Sequence, residues 1–181
     1  MKFVTLILAG ALAVVPIEIQ AQKKMTYHPS VKCLALNMYH EARSQGTAGL
    51  FAVSAVVLNR VNDSRFPNSV CEVVYQGPTR ESWKTRQHKD LPDNKRKYYP
   101  IKNRCQFSWY CDGKSDIPHN KKKYEELLDL SASIMHNEIL FIDITDGALF
   151  YHADYVTPGW AKTKQKTVEV EDNIFYRWDV K

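Results

Sequence analysis

The chain has 181 residues, 25 Lys plus Arg against 20 Asp plus Glu, 44% apolar residues, seven Gly and eight Pro. A chain of this size with ordinary apolar content buries one core, which excludes a low-complexity tail, a collagen-like repeat and a multi-domain assembly. The formal net charge is +5.

Residues 1–21 read as a secretory signal. Met1 and Lys2 form a short basic start, Phe3 to Val15 an apolar run broken only by Thr5 and Gly10, and Ile19-Gln20-Ala21 ends in the small residue that signal peptidase prefers. Cleavage is expected after Ala21. A membrane anchor needs about 20 apolar residues, and this run stops at Pro16 and Glu18. The mature chain, 22–181, is expected to be secreted or periplasmic, monomeric and without a membrane span. The four cysteines, bound for an oxidising space, then favour two disulfides over metal ligation or a thiol nucleophile. The shortest loop pairs Cys105 with Cys111 and leaves Cys33 for Cys71, although three connectivities are open to the sequence.

Pro29 and Ser30 open a segment in which Val31, Leu34, Ala35, Met38, Tyr39 and Ala42 recur at three- and four-residue steps, one apolar face of a helix. On that wheel Glu41 lies about 20° from Leu34, at the border of the face, and His40 points to the opposite side. Glu41 is expected half out of water and His40 fully in it. After Gly46 and Gly49, Leu50 to Val61 is apolar on every side, the pattern of a helix in mid-core. Pro67, Asn68 and Ser69 cap a short helix reaching Tyr75 and carrying Cys71.

Between Gly77 and Arg104 periodicity dissolves, and nine Lys or Arg face three Asp or Glu. This stretch is either a solvated loop or a basic rim that attracts an anionic polymer. Nucleic acid is not expected, since no recognition motif is present. Tyr124, Leu127, Leu128, Ser131, Ile134 and Met135 mark a further helix starting near Lys121. Gly147 to His152 alternates loosely, Thr167 to Glu171 strictly, and Ile174 to Trp178 follows Asn173, which reads as a small C-terminal antiparallel hairpin. The fold class is α+β, mostly α.

The chain lacks Gly-x-Ser-x-Gly and a Gly-rich phosphate loop, and Ser44 stands where a zinc-protease helix needs His. Its six His residues are scattered without ligand spacing, so no metal and no cofactor are expected. Glu41 stands out. A carboxyl at the edge of an apolar face loses hydration, which disfavours its charged form and raises its pKa, as a glycosidase acid requires. A surface residue or a salt bridge to Arg43 or Arg60 is the structural alternative.

Leu36-Asn37-Met38-Tyr39-His40-Glu41-Ala42-Arg43, then Leu58-Asn59-Arg60-Val61, then Phe66-Pro67-Asn68-Ser69-Val70-Cys71 resembles the SleB-like cell-wall hydrolase family. Cys105-Gln106-Phe107-Ser108-Trp109 with Cys111-Asp112-Gly113, Gly147 to His152, and Pro158-Gly159-Trp160 continue the likeness over residues 33–160. The resemblance implies a lysozyme-like helical fold that cuts the glycan strand of bacterial peptidoglycan, with Glu41 as the catalytic carboxyl. Relatives in spores have Gly where this chain has His40.

No Asp or Glu is plainly the second acid that glycoside hydrolysis generally uses, so the expectation is a lytic transglycosylase, in which one carboxyl serves as acid and then base. Asp112 and Asp154 stay open as activators of water for true hydrolysis. Gln106, Ser108, Tyr151, His152 and Asn59 are the candidate substrate-binding residues, with Trp160 a possible stacking ring; a role within the core or the loop's own hydrogen bonding competes for each. A non-catalytic wall-binding or structural protein, and a peptidoglycan amidase or peptidase needing zinc or a thiol, are the rival readings, neither with a motif in its favour.

Overall fold

The computed structural model describes residues 26–137 and 139–178; the proposed signal segment lies outside them. Helix α1 runs Pro29–Ala42, with Pro at its start and the His28 ring accepting from the Ser30 amide at 3.2 Å. Its apolar face is buried through Val31, Leu34, Ala35, Met38, Tyr39 and Ala42. Helix α2, Thr47–Asn62, is the central element: Ala52 to Val57 are buried without a break, and Ser54 returns its hydroxyl to the Leu50 carbonyl at 2.8 Å. Helix α3, Val70–Val74, is capped by Ser69, which accepts from the Glu72 amide. α1 packs against α2, α3 and the later helix α5, Lys121–Met135.

The basic stretch is not a structureless loop. Strand β1 (Thr79–Glu81), helix α4 (Trp83–Arg86) and strand β2 (Tyr98–Pro100) make a small antiparallel ribbon. Three-residue strands are too short to show a period, so the sequence carries no periodicity here. The C-terminal hairpin is also incomplete as a description. β4 (Gln165–Val170) and β5 (Asn173–Arg177) form it, but β3 (Phe150–Ala153) pairs with the free edge of β5, giving a three-stranded antiparallel sheet in the order β3-β5-β4. The sheet seats on α2 through Phe175, which is fully buried with Ala52, Val56 and Ala148. The small Ala52 keeps the helix slim where the ring arrives.

His40 departs from expectation. Its ring stacks on Trp109 at 4.5 Å, and its Nε2 stands 3.1 Å from the Asp116 carbonyl. The wheel describes one helix, whereas the 105–116 segment covers the side on which His40 lies. The same segment is anchored by Trp109, whose indole N–H donates to the buried Asn37 at 3.1 Å.

Cys33 is bonded to Cys71 and Cys105 to Cys111. The first ties α1 to α3 across 38 residues, a closure worth about 4 kcal/mol in the chain-entropy account. A Cys33→Ser, Cys71→Ser chain is therefore expected to lose about 2–4 kcal/mol in denaturant unfolding; a loss within error of zero would show that helix packing alone holds α1 on α3.

Candidate active site

Glu41 sits in the last turn of α1, and Arg60 in the last turn of α2. They meet at one cavity of about 540 Å³, whose walls also include Gln106, Phe107 and Ser108 from the disulfide loop, Phe150 to Ala153 from β3, Tyr155, Trp160, and Asp172 with Asn173 from the β4–β5 turn. The loop is held in place by the Gln106 amide, which donates to the Gln76 carbonyl at 2.9 Å.

The Glu41 carboxyl is half-buried and accepts a hydrogen bond from the Tyr151 hydroxyl at 2.8 Å. Loss of hydration raises its pKa above the ordinary 4.5, while the Tyr151 bond and the Arg60 charge pull the other way. Burial, reinforced by Glu41, pushes Tyr151 well above 10, so it stays a neutral donor. Arg60 is only 4% exposed, and burial brings it down to about 10, still charged at neutral pH. Its Nε donates to the Leu149 carbonyl at 2.8 Å, and its guanidinium lies 5.2, 5.3 and 5.7 Å from the ring centres of Phe66, Phe107 and Phe150. A poorly hydrated carboxyl, a fixed hydroxyl donor and a buried cation facing a cavity make a site suited to proton transfer.

Of the residues singled out from the sequence, Glu41, Gln106, Ser108, Tyr151, His152 and Trp160 line this cavity. Gln106 and Ser108 are exposed on its wall. His152 is largely inward, its ring nitrogens 2.8 Å from the Ala153 carbonyl and 3.0 Å from the Tyr176 hydroxyl. Asn59 does not reach Glu41: its amide donates to Asp143 at 2.9 Å and to the Ala148 carbonyl at 3.1 Å, so it fastens the 143–148 turn to α2. One residue further along the helix points about 100° away, which is why Arg60 faces the cavity and Asn59 does not. Neither Asp112 nor Asp154 lines the cavity; Asp112 binds the Lys114 amide at 2.7 Å. Asp172 is the second carboxylate on the wall.

Sequence reasoning passed over Arg60 and Asp172 as site residues. Arg60 carried a signal, since it is the lone charge in a helix apolar all round, and a buried charge requires partners. Asp172 carried none, because a turn residue reaches the cavity only through the sheet.

The turn is held by its neighbour. Glu171 accepts from the amides of Gly46 at 2.8 Å and Gly49 at 3.1 Å, the N-terminus of α2. A Cβ at Gly46 would lie 2.9 Å from the Glu171 carboxylate and one at Gly49 3.0 Å from it, so glycine permits the approach. Glu171→Ala is expected to lower stability by about 1–2 kcal/mol, the worth of a helix cap with its dipole interaction. Urea unfolding tests this, and an unchanged midpoint would remove Glu171 as the link between turn and helix.

The Cell Wall Hydrolase family matches residues 44–176, beginning just after Glu41. The spore cortex-lytic enzyme of Bacillus subtilis (strain 168) is 44% identical over 46 residues, which cover 25% of this chain and 15% of that relative's length. Two solved structures are similar. The catalytic domain of germination-specific lytic transglycosylase SleB from Bacillus anthracis shares 24% identity and a TM-score of 0.51, covering 90% of this chain and all of that one. The catalytic domain of the Bacillus cereus SleB protein shares 23% identity and a TM-score of 0.49, covering 84% and 93%. The family match spans most of the chain, from the start of α2 to the last strand, and includes every cavity wall except that of α1: this chain belongs to the cell wall hydrolase family.

Proposed function

We propose that this protein cleaves the N-acetylmuramic acid to N-acetylglucosamine strand of peptidoglycan as a lytic transglycosylase, with Glu41 as acid and then base. The observation that carries the reading is the Glu41 carboxyl itself, half-buried at a cavity, raised in pKa by lost hydration and bonded on one oxygen by Tyr151. Tyr151 occupies Oε2, which leaves Oε1 to carry the transferable proton. That proton passes to the glycosidic oxygen as the C1–O bond breaks. The carboxylate then takes the proton of the muramic acid 6-hydroxyl, whose oxygen closes on C1. Glu41 ends protonated again, and no water is consumed.

The open wall, with exposed Gln106 and Ser108 and the Trp160 ring at 36% exposure, supports sugar binding by hydrogen bonds and stacking. Two disulfides support an oxidising destination outside the cytoplasm. Asp172 on the wall favours one second reading, hydrolysis, because a second carboxylate could activate water. Mass spectrometry of fragments from purified wall separates them. Muramic acid ends lighter by one water are expected; reducing muramic acid ends would overturn the transglycosylase step, and no glycan cleavage at all would overturn the enzymatic reading.

A further inference from the structure

The β1–α4–β2 ribbon is made of residues that the core does not use. Nothing in α4 or in the turn at Asp93–Lys95 is buried, and Trp83, Tyr98 and Tyr99 expose 59%, 53% and 57% of their surface. Rings left in water on an element that supports no core mark a contact surface.

The register sets Arg80 opposite Tyr99, so the two project from one face. Trp83, Lys84 and Arg86 from α4 join them around a second groove, also about 540 Å³, that shares no residue with the Glu41 cavity. The single carboxyl in this groove, Glu81, is held by Arg96 at 2.8 Å. Arg80, Lys84 and Arg86 make no ion pair among the described residues. Arg86 acts on Glu81 at a distance and the Lys84 ammonium lies 5.9 Å from the Trp83 ring centre, so three cations outnumber one carboxyl beside two flat rings. Cations select repeated negative groups, and rings lie against the C–H faces of sugars or polyols. Rings and cations together are what a charged carbohydrate polymer needs; a simple polyanion would need the cations alone.

We propose that this groove is a second binding site, for a linear polymer bearing a negative group on its sugar or polyol repeats, and that it tethers the chain to the wall apart from the catalytic cavity. The choice of a wall polymer rests on the peptidoglycan reading; the ring-and-cation chemistry of the groove does not. The negative groups have two sources, the carboxylates of peptide-bearing glycan and the phosphates of polymers attached to it.

Binding is measured by cosedimentation with purified wall, in a Glu41→Gln background so that the wall persists. The wall is used whole and after stripping of its phosphodiester polymers. An Arg80→Gln, Lys84→Gln, Arg86→Gln chain is expected to bind about tenfold more weakly or worse at low salt, a difference that closes at high salt. Trp83→Ala is expected to weaken binding at both. Retained affinity for stripped wall assigns the carboxylates, and loss on stripping assigns the phosphates; either result supports the site. Unchanged affinity of both variants with unchanged thermal unfolding overturns it, as does tighter binding to single-stranded DNA than to wall. With Glu41 intact, the ribbon variants are expected to cleave a short soluble glycan at the parental rate. A Glu41→Gln chain that still cleaves this fragment sinks the catalytic reading while leaving the binding result standing.

Discussion

Glu41→Gln is expected to reduce glycan cleavage by about 10³–10⁴-fold, the scale of a positioned group that both gives and takes a proton, while the chain stays folded. Glutamine keeps the shape and can still accept from Tyr151, so the loss reads on proton transfer alone. In the parent, cleavage should fall on the alkaline side with a midpoint above the ordinary glutamate range, since the carboxyl must be protonated to act and its pKa is raised by lost hydration. Stability carries the same sign. The unfolded carboxyl titrates near 4.5, the folded one higher, so the native state holds the proton more tightly and loses stability as pH climbs through the interval between them. Glu41→Gln, permanently neutral, should therefore melt at a higher temperature than the parent at neutral pH, with the gap closing in acid. Retained cleavage by this variant would remove Glu41 from the reaction; a lower melting temperature at neutral pH would contradict the hydration argument.

Arg60 is the second site of large expected effect. Arg60→Met leaves the Leu149 carbonyl without its 2.8 Å donor, an expected cost of about 1–3 kcal/mol. It also removes the one charge that favours ionised Glu41. The alkaline limit of cleavage should move to still higher pH in Arg60→Met and stay near the parental position in Arg60→Lys, where a cation remains. A merely structural arginine would lower activity in both variants without moving the pH profile. An unmoved profile in a folded Arg60→Met chain would show that Arg60 supports the cavity wall and does not tune the acid.

These residues differ in how far the linear chain foretold them. The elements that build the core were legible because periodicity is a local property: a 3.6-residue repeat in Val31 to Ala42 and an unbroken apolar run in Leu50 to Val61 each define a helix without knowing its neighbours. Glu41 was legible for the same reason, as a carboxyl on the border of its own helix face. His40 failed the same test, because the surface of one helix says nothing about the segment that covers it. Asn59 and Arg60, side by side in sequence, parted company at the cavity through the turn of α2, and their assignment depended on where β3 and the 143–148 turn arrive.

The amino-acid order by itself determined a helical core, a small β region, a basic stretch and one carboxyl of unusual setting, all consequences of patterns within a few turns of chain. Only the tertiary structure decided that Tyr151 bonds that carboxyl, that Arg60 charges its surroundings, that Asp172 and not Asp112 or Asp154 reaches the wall, and that the basic stretch folds into a ribbon with its own groove. Each of these joins residues far apart in sequence, and such pairings are set by how helices and strands pack on one another, which no local period encodes.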